Sequence, residues 1–500
     1  MALDGGRDIN GDGVPDFLVG DPTAQTGGMV DARSGTDGSL IHRFYGTTAN
    51  ERFGESLAII GDVDGDGLND IVIGSPGWGS GLYTNSGALT LFSGLTGHQI
   101  RFHGGAPYSW LGTCVSYAGD SDGDGIEDYA AGAPGAGRDG EAIIFSGANG
   151  IRLATGSDWA SYSGSASGSS LAFAGDFYGT GTPHVVYGSP WYEPYEGAFG
   201  GAVSALSADG GWNIASLGYA APHMGTAVDG IPDIDGDGRD DILVSIPGYD
   251  EIRAYGASPW PTMIYRARGL GIGDSVVTVG DLDLDGIADF VAEGYYDDHG
   301  QRRVGGVMAY SGVDGSDLFT MRGFSRRGID GAQSPLGDLD GDGHPEFLLS
   351  APNEGLPGRV KNGLVYVYTY YPGLALDVQE VSASVGGAVQ LQVDFPDSMA
   401  GQSYQGLMAR EPGKPLFGYH VPLQDDALLA DFIQGSLPPA IYVGLQGTLD
   451  ALGDATISIT VPAGVYDQHV GKDFWFSVVA LPSGNQPARS TVARSIQLIP

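Results

Sequence analysis

An acidic loop recurs seven times along the first three quarters of the chain, an apolar β-type run follows each copy, and the repeats carry no helical period. These three observations predict an all-β fold, a seven-bladed β-propeller followed by a C-terminal β-sandwich. The expected boundaries are residues 1–372 for the propeller and 373–500 for the second domain.

The copies read DINGDGVPDFLVGDP from Asp8, DVDGDGLNDIVIGSP from Asp62, DSDGDGIEDYAAGAP from Asp120 and DFYGTGTPHVVYGSP from Asp176. DIDGDGRDDILVSIP from Asp233, DLDLDGIADFVAEG from Asp281 and DLDGDGHPEFLLSAP from Asp338 complete the set. Successive loops begin 48 to 58 residues apart. Within one unit four short strands are legible, for example Phe53–Ile60, Ile71–Ile73, Ala88–Phe92 and Gln99–Phe102. Their length, β-branched content and glycine-rich turns favour strand over helix. Four-stranded units repeated radially make propeller blades. A linear solenoid would need polar end caps, and none is visible. Only seven residues precede Asp8, too few for a full inner strand. Either the chain is cut there, or a strand from about 365–382 closes the ring.

Composition bounds the function. The formal charge is −38 with 86 glycines in 500 residues, and lysine is nearly absent. Nucleic acid is excluded as a partner, because its recognition needs clustered Lys and Arg. A hydrophobic fraction of 42% with 25 Tyr and 18 Phe argues for a folded chain rather than acidic disorder. Cys114 stands alone, so no intrachain disulfide forms, and it reads as a small buried apolar residue. No run of 18 apolar residues spans a membrane. No signal peptide opens the chain. The chain is expected to act as a monomer.

The loops have the chemistry of calcium sites. In Asp62–Asp70, carboxylates at positions 1, 3 and 5 (Asp62, Asp64, Asp66) converge because the intervening residues turn the backbone. Gly67 at position 6 permits the sharp turn, the carbonyl of Leu68 adds an oxygen, and Asp70 at position 9 closes the shell. Hard oxygen donors without His or Cys suit calcium rather than zinc. By the same rule the other ligand sets are Asp8, Asn10, Asp12, Val14, Asp16; Asp120, Asp122, Asp124, Ile126, Asp128; and Asp233, Asp235, Asp237, Arg239, Asp241. Asp281, Asp283, Asp285, Ile287, Asp289 and Asp338, Asp340, Asp342, His344, Glu346 follow, the position-7 residues acting through their carbonyls. The fourth loop keeps only Asp176, with Tyr178, Thr180 and His184 at the other positions, so six calcium ions are expected and none in blade four. Two carboxylates about 4 Å apart repel by roughly 4 kcal/mol at an effective dielectric near 20, so such clusters need a cation. Weak sites of this kind fill where calcium is about millimolar, which points to a secreted or cell-surface protein whose signal lies outside this chain.

The units resemble the FG-GAP repeat of integrin alpha chains and of bacterial surface proteins. The marks are Phe53-Gly54, with Leu111-Gly112 in the next copy, the acidic loop, and Gly132-Ala133-Pro134. Ser245 and Ser350 replace the glycine of Gly-x-Pro, and the sixth copy lacks the proline. The resemblance implies strand-loop-strand calcium clips on one rim and ligand recognition on the opposite face. There the connections carry Tyr108, Trp110, Trp159, Tyr162, Trp191, Tyr192 and Tyr195, with Tyr295-Tyr296, Arg302-Arg303 and Arg326-Arg327 nearby. Aromatic and Arg side chains are enriched at interfaces, and exposed rings suit sugars. The expected partner is an extracellular glycan or protein, and the chain reads as a binding or adhesion module. The alternatives are a polysaccharide lyase or hydrolase and a purely structural surface scaffold. Nine scattered His residues and no His-Glu-x-x-His, Gly-x-Ser-x-Gly or Cys–His arrangement argue against an enzyme.

After Pro372-Gly373 the repeat stops. Alternating runs at Leu374–Val381, Ala388–Val393, Ala455–Val461 and Phe474–Ala480 predict the antiparallel sandwich. Residues 432–450 loosely resemble a C-terminal module of secreted repeat proteins.

Overall fold

A computed structural model describes residues 1–24, 27–79, 85–158, 164–193, 200–209, 221–257, 261–269, 271–297, 303–322, 332–339, 343–351 and 364–370, and strand segments between 374 and 499. The chain divides into two compact units, residues 1–317 with 327–368, and residues 318–326 with 369–500.

The first unit is a seven-bladed propeller. Blade one holds Ala2–Arg7, Asp16–Asp21, Met29–Arg33 and Leu40–Tyr45 in spatial order, each antiparallel to the next. Blade two holds Ser56–Ile60, Asp70–Gly74, Ala88–Phe92 and Gln99–Gly104. Blade three holds Val115–Gly119, Asp128–Ala133, Glu141–Phe145 and Arg152–Gly156. Blade four contributes Ser170–Phe173, Val185–Ser189 and Ala202–Leu206. Blade five has Val228–Ile231, Asp241–Ile246, Glu251–Gly256 and Thr262–Arg268. Blade six contributes Val276–Gly280, Asp289–Asp297 and Arg303–Tyr310, and blade seven Gln333–Gly337, Glu346–Ala351 and Leu364–Thr369.

The ring closes differently from the sequence expectation. Residues Ala2–Arg7 are the innermost strand of blade one, so seven residues suffice and no strand from 365–382 is needed. Leu364–Thr369 belongs to blade seven instead. Leu3 and Phe17 of blade one pack with Leu336 and Leu348 of blade seven, which joins the first blade to the last. Gly5 permits close approach at this junction: a Cβ there would lie 2.7 Å from Leu336 Cδ2. Comparable apolar layers lie between successive blades, such as Leu18 and Val30 with Ile71 and Ile73 between blades one and two. Burial of such side chains contributes about 1.5–3 kcal/mol each, so the blade faces hold the ring together.

The two glycine motifs meet at these junctions. Gly112 donates its N–H to Gly132 O at 2.9 Å, and a Cβ on Gly74 of the preceding blade would lie 2.3 Å from Gly112 O. Blade packing therefore leaves no room for a side chain at these points. Ser245, standing where most blades have glycine, uses its hydroxyl to accept the Ala227 N–H at 2.8 Å.

In the second unit Gly387–Asp394 pairs with Asp454–Val461, and Asp473–Leu481 with Ser403–Ala409 and Arg494–Ile499. The run expected as one strand over 374–381 divides into Leu374–Leu376 and Glu380–Ser382, because its two ends pair with different strands, Gly387–Asp394 and Arg494–Ile499. Residues 432–441, 444–445 and 449–450 of the segment compared with a C-terminal module of secreted repeat proteins lie outside the described residues.

Candidate metal centres and the opposite face

Each acidic loop joins the first and second strands of its blade. Antiparallel alternation therefore puts these loops and the hairpins between strands three and four on one rim, and the remaining connections on the other. Position 1 organises the loop by accepting backbone N–H groups. Asp62 Oδ1 accepts Gly65 N at 2.6 Å and its Oδ2 accepts Gly67 N at 2.7 Å. The position-6 contact recurs at Gly13–Asp8, Gly125–Asp120, Gly238–Asp233, Gly286–Asp281 and Gly343–Asp338, all at 2.8–2.9 Å. Gly67 sits at φ +96°, a left-handed conformation that explains the glycine.

Position 9 is buried under the loop. Asp16, Asp70, Asp128, Asp241 and Asp289 are fully enclosed. One oxygen of each accepts the N–H at position 2: Ile9, Val63, Ser121, Ile234 and Leu282, at 2.7–2.9 Å. Glu346 does the same for Leu339 at 2.7 Å. The other oxygen accepts an N–H from the hairpin tip: Gly35 for Asp16, Gly94 for Asp70, Gly147 for Asp128 and Gly312 for Asp289. In blade five the tip position is Ala257, and Asp241 Oδ1 has no hydrogen-bond partner among the described residues. Burial pushes the carboxyls of Asp70, Asp241 and Asp289 up to about 7 and that of Asp128 to about 6, and nearby loop acids add to the rise.

Carboxylate oxygens within 4.8 Å of one another gather at Asp62/Asp64/Asp66, Asp120/Asp122/Asp128, Asp233/Asp235/Asp241 and Asp281/Asp283/Asp285. Loop one gathers no such trio among the described residues. Asn10 there donates through Nδ2 to Asp16 Oδ1 at 3.1 Å. Asp340 and Asp342 of loop seven lie outside the described residues. The position-7 residues Val14, Leu68, Ile126, Arg239 and Ile287 each donate their N–H to the position-5 carboxylate. In loop four, Asp176 still accepts the Gly181 N–H at 2.8 Å, but His184 fills the buried ninth position and burial pushes its imidazole down toward neutrality.

The donor set fits a hard divalent cation. The oxygens converge without nitrogen or sulfur, and a buried carboxylate oxygen with no donor, Asp241 Oδ1, costs about 1–3 kcal/mol or more unless something positive meets it. The hairpin tips escaped the sequence reading. Their signal was present: Ser34-Gly35, Ser93-Gly94, Ser146-Gly147 and Ser311-Gly312 repeat in step with the loops. Ser93 Oγ donates to Asp66 Oδ2 at 3.0 Å, so the tip also orients position 5.

On the opposite rim Tyr108, Trp110 and Trp191 are exposed, by 58%, 48% and 57%, and Tyr192 is half-buried. Trp159, Tyr162 and Tyr195 lie outside the described residues, as do Arg302 and Arg326-Arg327. Tyr108 and Trp110 hold φ of +63° and +55°, unusual for bulky residues. Trp191 meets His223 edge-on, with ring centroids 4.5 Å apart, and His223 also has a positive φ of 60°. His223 was not anticipated. It precedes Met224-Gly225, the blade-five counterpart of Phe53-Gly54, as Trp110 precedes Leu111-Gly112. Beneath this rim the buried Asp158 carboxylate accepts hydrogen bonds from Ser189 Oγ at 2.5 Å and Ser204 Oγ at 2.6 Å, anchoring the connection that leads to Trp159. Cys114 is partly buried, and its Sγ donates to Gly168 O at 3.1 Å. Burial pushes this thiol up to about 12, which disfavours the thiolate. No helix among the described residues is long and apolar enough to cross a membrane.

The FG-GAP repeat family pattern matches residues 53–92 and 331–368. Integrin alpha-V of Gallus gallus is 26% identical over 265 residues, covering 50% of this chain and 20% of that protein. Integrin alpha-PS5 of Drosophila melanogaster is 30% identical over 156 residues, covering 26% and 14%. Integrin alpha-4 of Xenopus laevis is 33% identical over 142 residues, covering 25% and 13%. The chain thus spans a fifth or less of the length of these relatives. The repeats, the blade count and these relatives agree: this chain carries FG-GAP repeats folded as an integrin-alpha-like seven-bladed β-propeller.

Proposed function

We propose that this chain is a calcium-stabilised extracellular binding module whose propeller recognises a protein or glycan on the rim opposite the acidic loops. The orphaned, fully buried Asp241 Oδ1 beside Asp233 and Asp235 carries the calcium part. Calcium would be held by the position 1, 3, 5 and 9 carboxylates with the position-7 carbonyl, and its role is to neutralise charge and staple two strands of one blade. The integrin resemblance supports recognition on the opposite rim, and exposed rings on rigid, glycine-pinned connections suit it.

Two measurements test the reading. Metal analysis of the purified protein is expected to find calcium, removable by chelator with loss of thermal stability. A screen of glycans and matrix proteins is expected to find a saturable ligand whose binding falls tenfold or more, about 1.4 kcal/mol, in Trp191→Ala. No bound divalent ion and melting indifferent to chelator would remove the calcium part. Binding unchanged in Trp191→Ala and Tyr108→Ala would remove the recognition surface.

A further inference from the structure

Position 8 of the acidic loops lies between two predicted ligands, the position-7 carbonyl and the position-9 acid. It also reaches across to the preceding blade. Asn69 Nδ2 donates to the carbonyl oxygen of Asp8 at 2.6 Å. Glu127 Oε2 accepts the Gly61 N–H at 2.7 Å. Asp240 Oδ2 accepts the Asp176 N–H at 3.0 Å. Every partner is the first residue of the preceding loop or its immediate neighbour. Where position 8 is proline, the ring packs there instead: a Cβ on Gly119 would lie 3.1 Å from Pro183 Cγ, and one on Gly280 3.1 Å from Pro345. Pro15 faces Gly337 in the same way, with 4.0 Å between its Cγ and a Cβ placed on Gly337, so position 8 meets the preceding blade at one register in six junctions, by a hydrogen bond in three and by proline packing in three.

Glu127 reaches furthest. The oxygen that takes the Gly61 N–H also pairs with Arg7 Nη1 at 2.6 Å. The Arg7 guanidinium lies 4.6 Å from the centre of the Tyr117 ring, which fixes it over blade three. Arg7 immediately precedes Asp8, and Gly61 immediately precedes Asp62. One carboxylate thus touches the residues leading into the first ligands of loops one and two, while its own backbone joins Ile126 to Asp128 in loop three.

We propose that Glu127 is a positioning residue that couples calcium occupancy of loops one, two and three. The inference rests on the calcium reading above. An ion in loop three holds Ile126 and Asp128, and so holds Glu127 between them. Glu127 then restrains Gly61 and Arg7, and with them Asp62 and Asp8. Part of the ordering cost of loops one and two is met before their own ions arrive, which is positive cooperativity through shared restraint.

Hydrogen–deuterium exchange of the full chain along a calcium titration gives a midpoint for each loop, read on peptides covering residues 8–16, 62–70, 120–128 and 281–289. Disabling loop three with Asp120→Asn and Asp122→Asn is expected to raise the midpoints of loops one and two about fivefold or more, leaving loop six in place. In the Glu127→Ala background the same change is expected to move them less than about twofold. Glu127→Gln keeps an acceptor for the Gly61 N–H but loses the charge facing Arg7. It is expected to retain coupling to loop two and lose coupling to loop one, and it carries the test if Glu127→Ala fails to fold. Midpoints in loops one and two that ignore loop three overturn the coupling while the calcium reading stands. A wild-type chain with no calcium-dependent protection in any loop overturns both.

Discussion

Gly94 donates its backbone N–H to the buried carboxylate of Asp70 at 3.1 Å, and a Cβ on Gly94 would lie 2.0 Å from the carbonyl oxygen of Asn69. The same crowding appears at Gly35 against Pro15 O, Gly147 against Glu127 O and Gly312 against Ala288 O, at 1.8–1.9 Å. The hairpin between strands three and four is pressed onto the acidic loop, and only glycine lets the two backbones come this close.

Gly94→Ala is therefore expected to lift the hairpin tip and deprive Asp70 of a donor. The cost should be about 2 kcal/mol or more, with weaker calcium binding in loop two. Calorimetry with and without calcium measures it. A melting temperature within about 1 °C of wild type would mean that the tip bends away freely.

Asp241→Asn should have opposite effects in the two metal states. Without metal, the wild-type carboxyl is buried, faces Asp235, Asp233 and Asp237, and lacks a donor on Oδ1. Removing its charge is expected to raise the melting temperature in chelator at pH 8. With calcium in excess the same substitution removes a ligand and should lower it. Thermal melts in both buffers decide the matter, and shifts of the same sign in both contradict the assignment.

Asp4 and Asp229 supply a pH dependence separate from the metal ligands. They sit on the innermost strands of blades one and five, where they accept the N–H groups of Ile59 and Thr278 at 2.6 and 2.7 Å. Burial pushes each carboxyl from 3.8 up to about 7; Arg7 offsets part of the rise at Asp4, and Asp229 adds to it. An acid raised in the folded state keeps its proton there while the unfolded chain has lost it. Stability then falls as pH rises from about 4 to about 7 and is lowest above that window. In chelator, Asp4→Asn keeps an acceptor for Ile59 and is expected to raise the melting temperature at pH 8 by about 1–3 °C, with a smaller rise at pH 5. Equal shifts at both pH values would mean that the charge of Asp4 is not the cause.

Much of the fold was legible because the repeat is local and regular. The run Ala88–Phe92 was read as a strand with the ends it has in the structure, and Asp62–Asp70 was read as a turn around converging oxygens. The first inner strand was missed because only seven residues precede Asp8, and Ala-Leu-Asp-Gly-Gly-Arg, with two glycines and no β-branched residue, carries little strand propensity to mark it. Close packing against Leu336 overrides that preference. Position 8 was passed over because its residue type varies: Asn69, Glu127, Asp240 and Ala288 alternate with Pro15, Pro183 and Pro345, and no single chemistry marks it.

The sequence by itself determined the number of blades and which loops retain their acids, since every ligand of a loop falls within nine consecutive residues and local spacing specifies the turn. Only the tertiary structure decided how the ring closes and how one loop touches the next. Arg7 and Glu127 are 120 residues apart in the chain, and no short pattern encodes a contact that exists only once whole blades have packed.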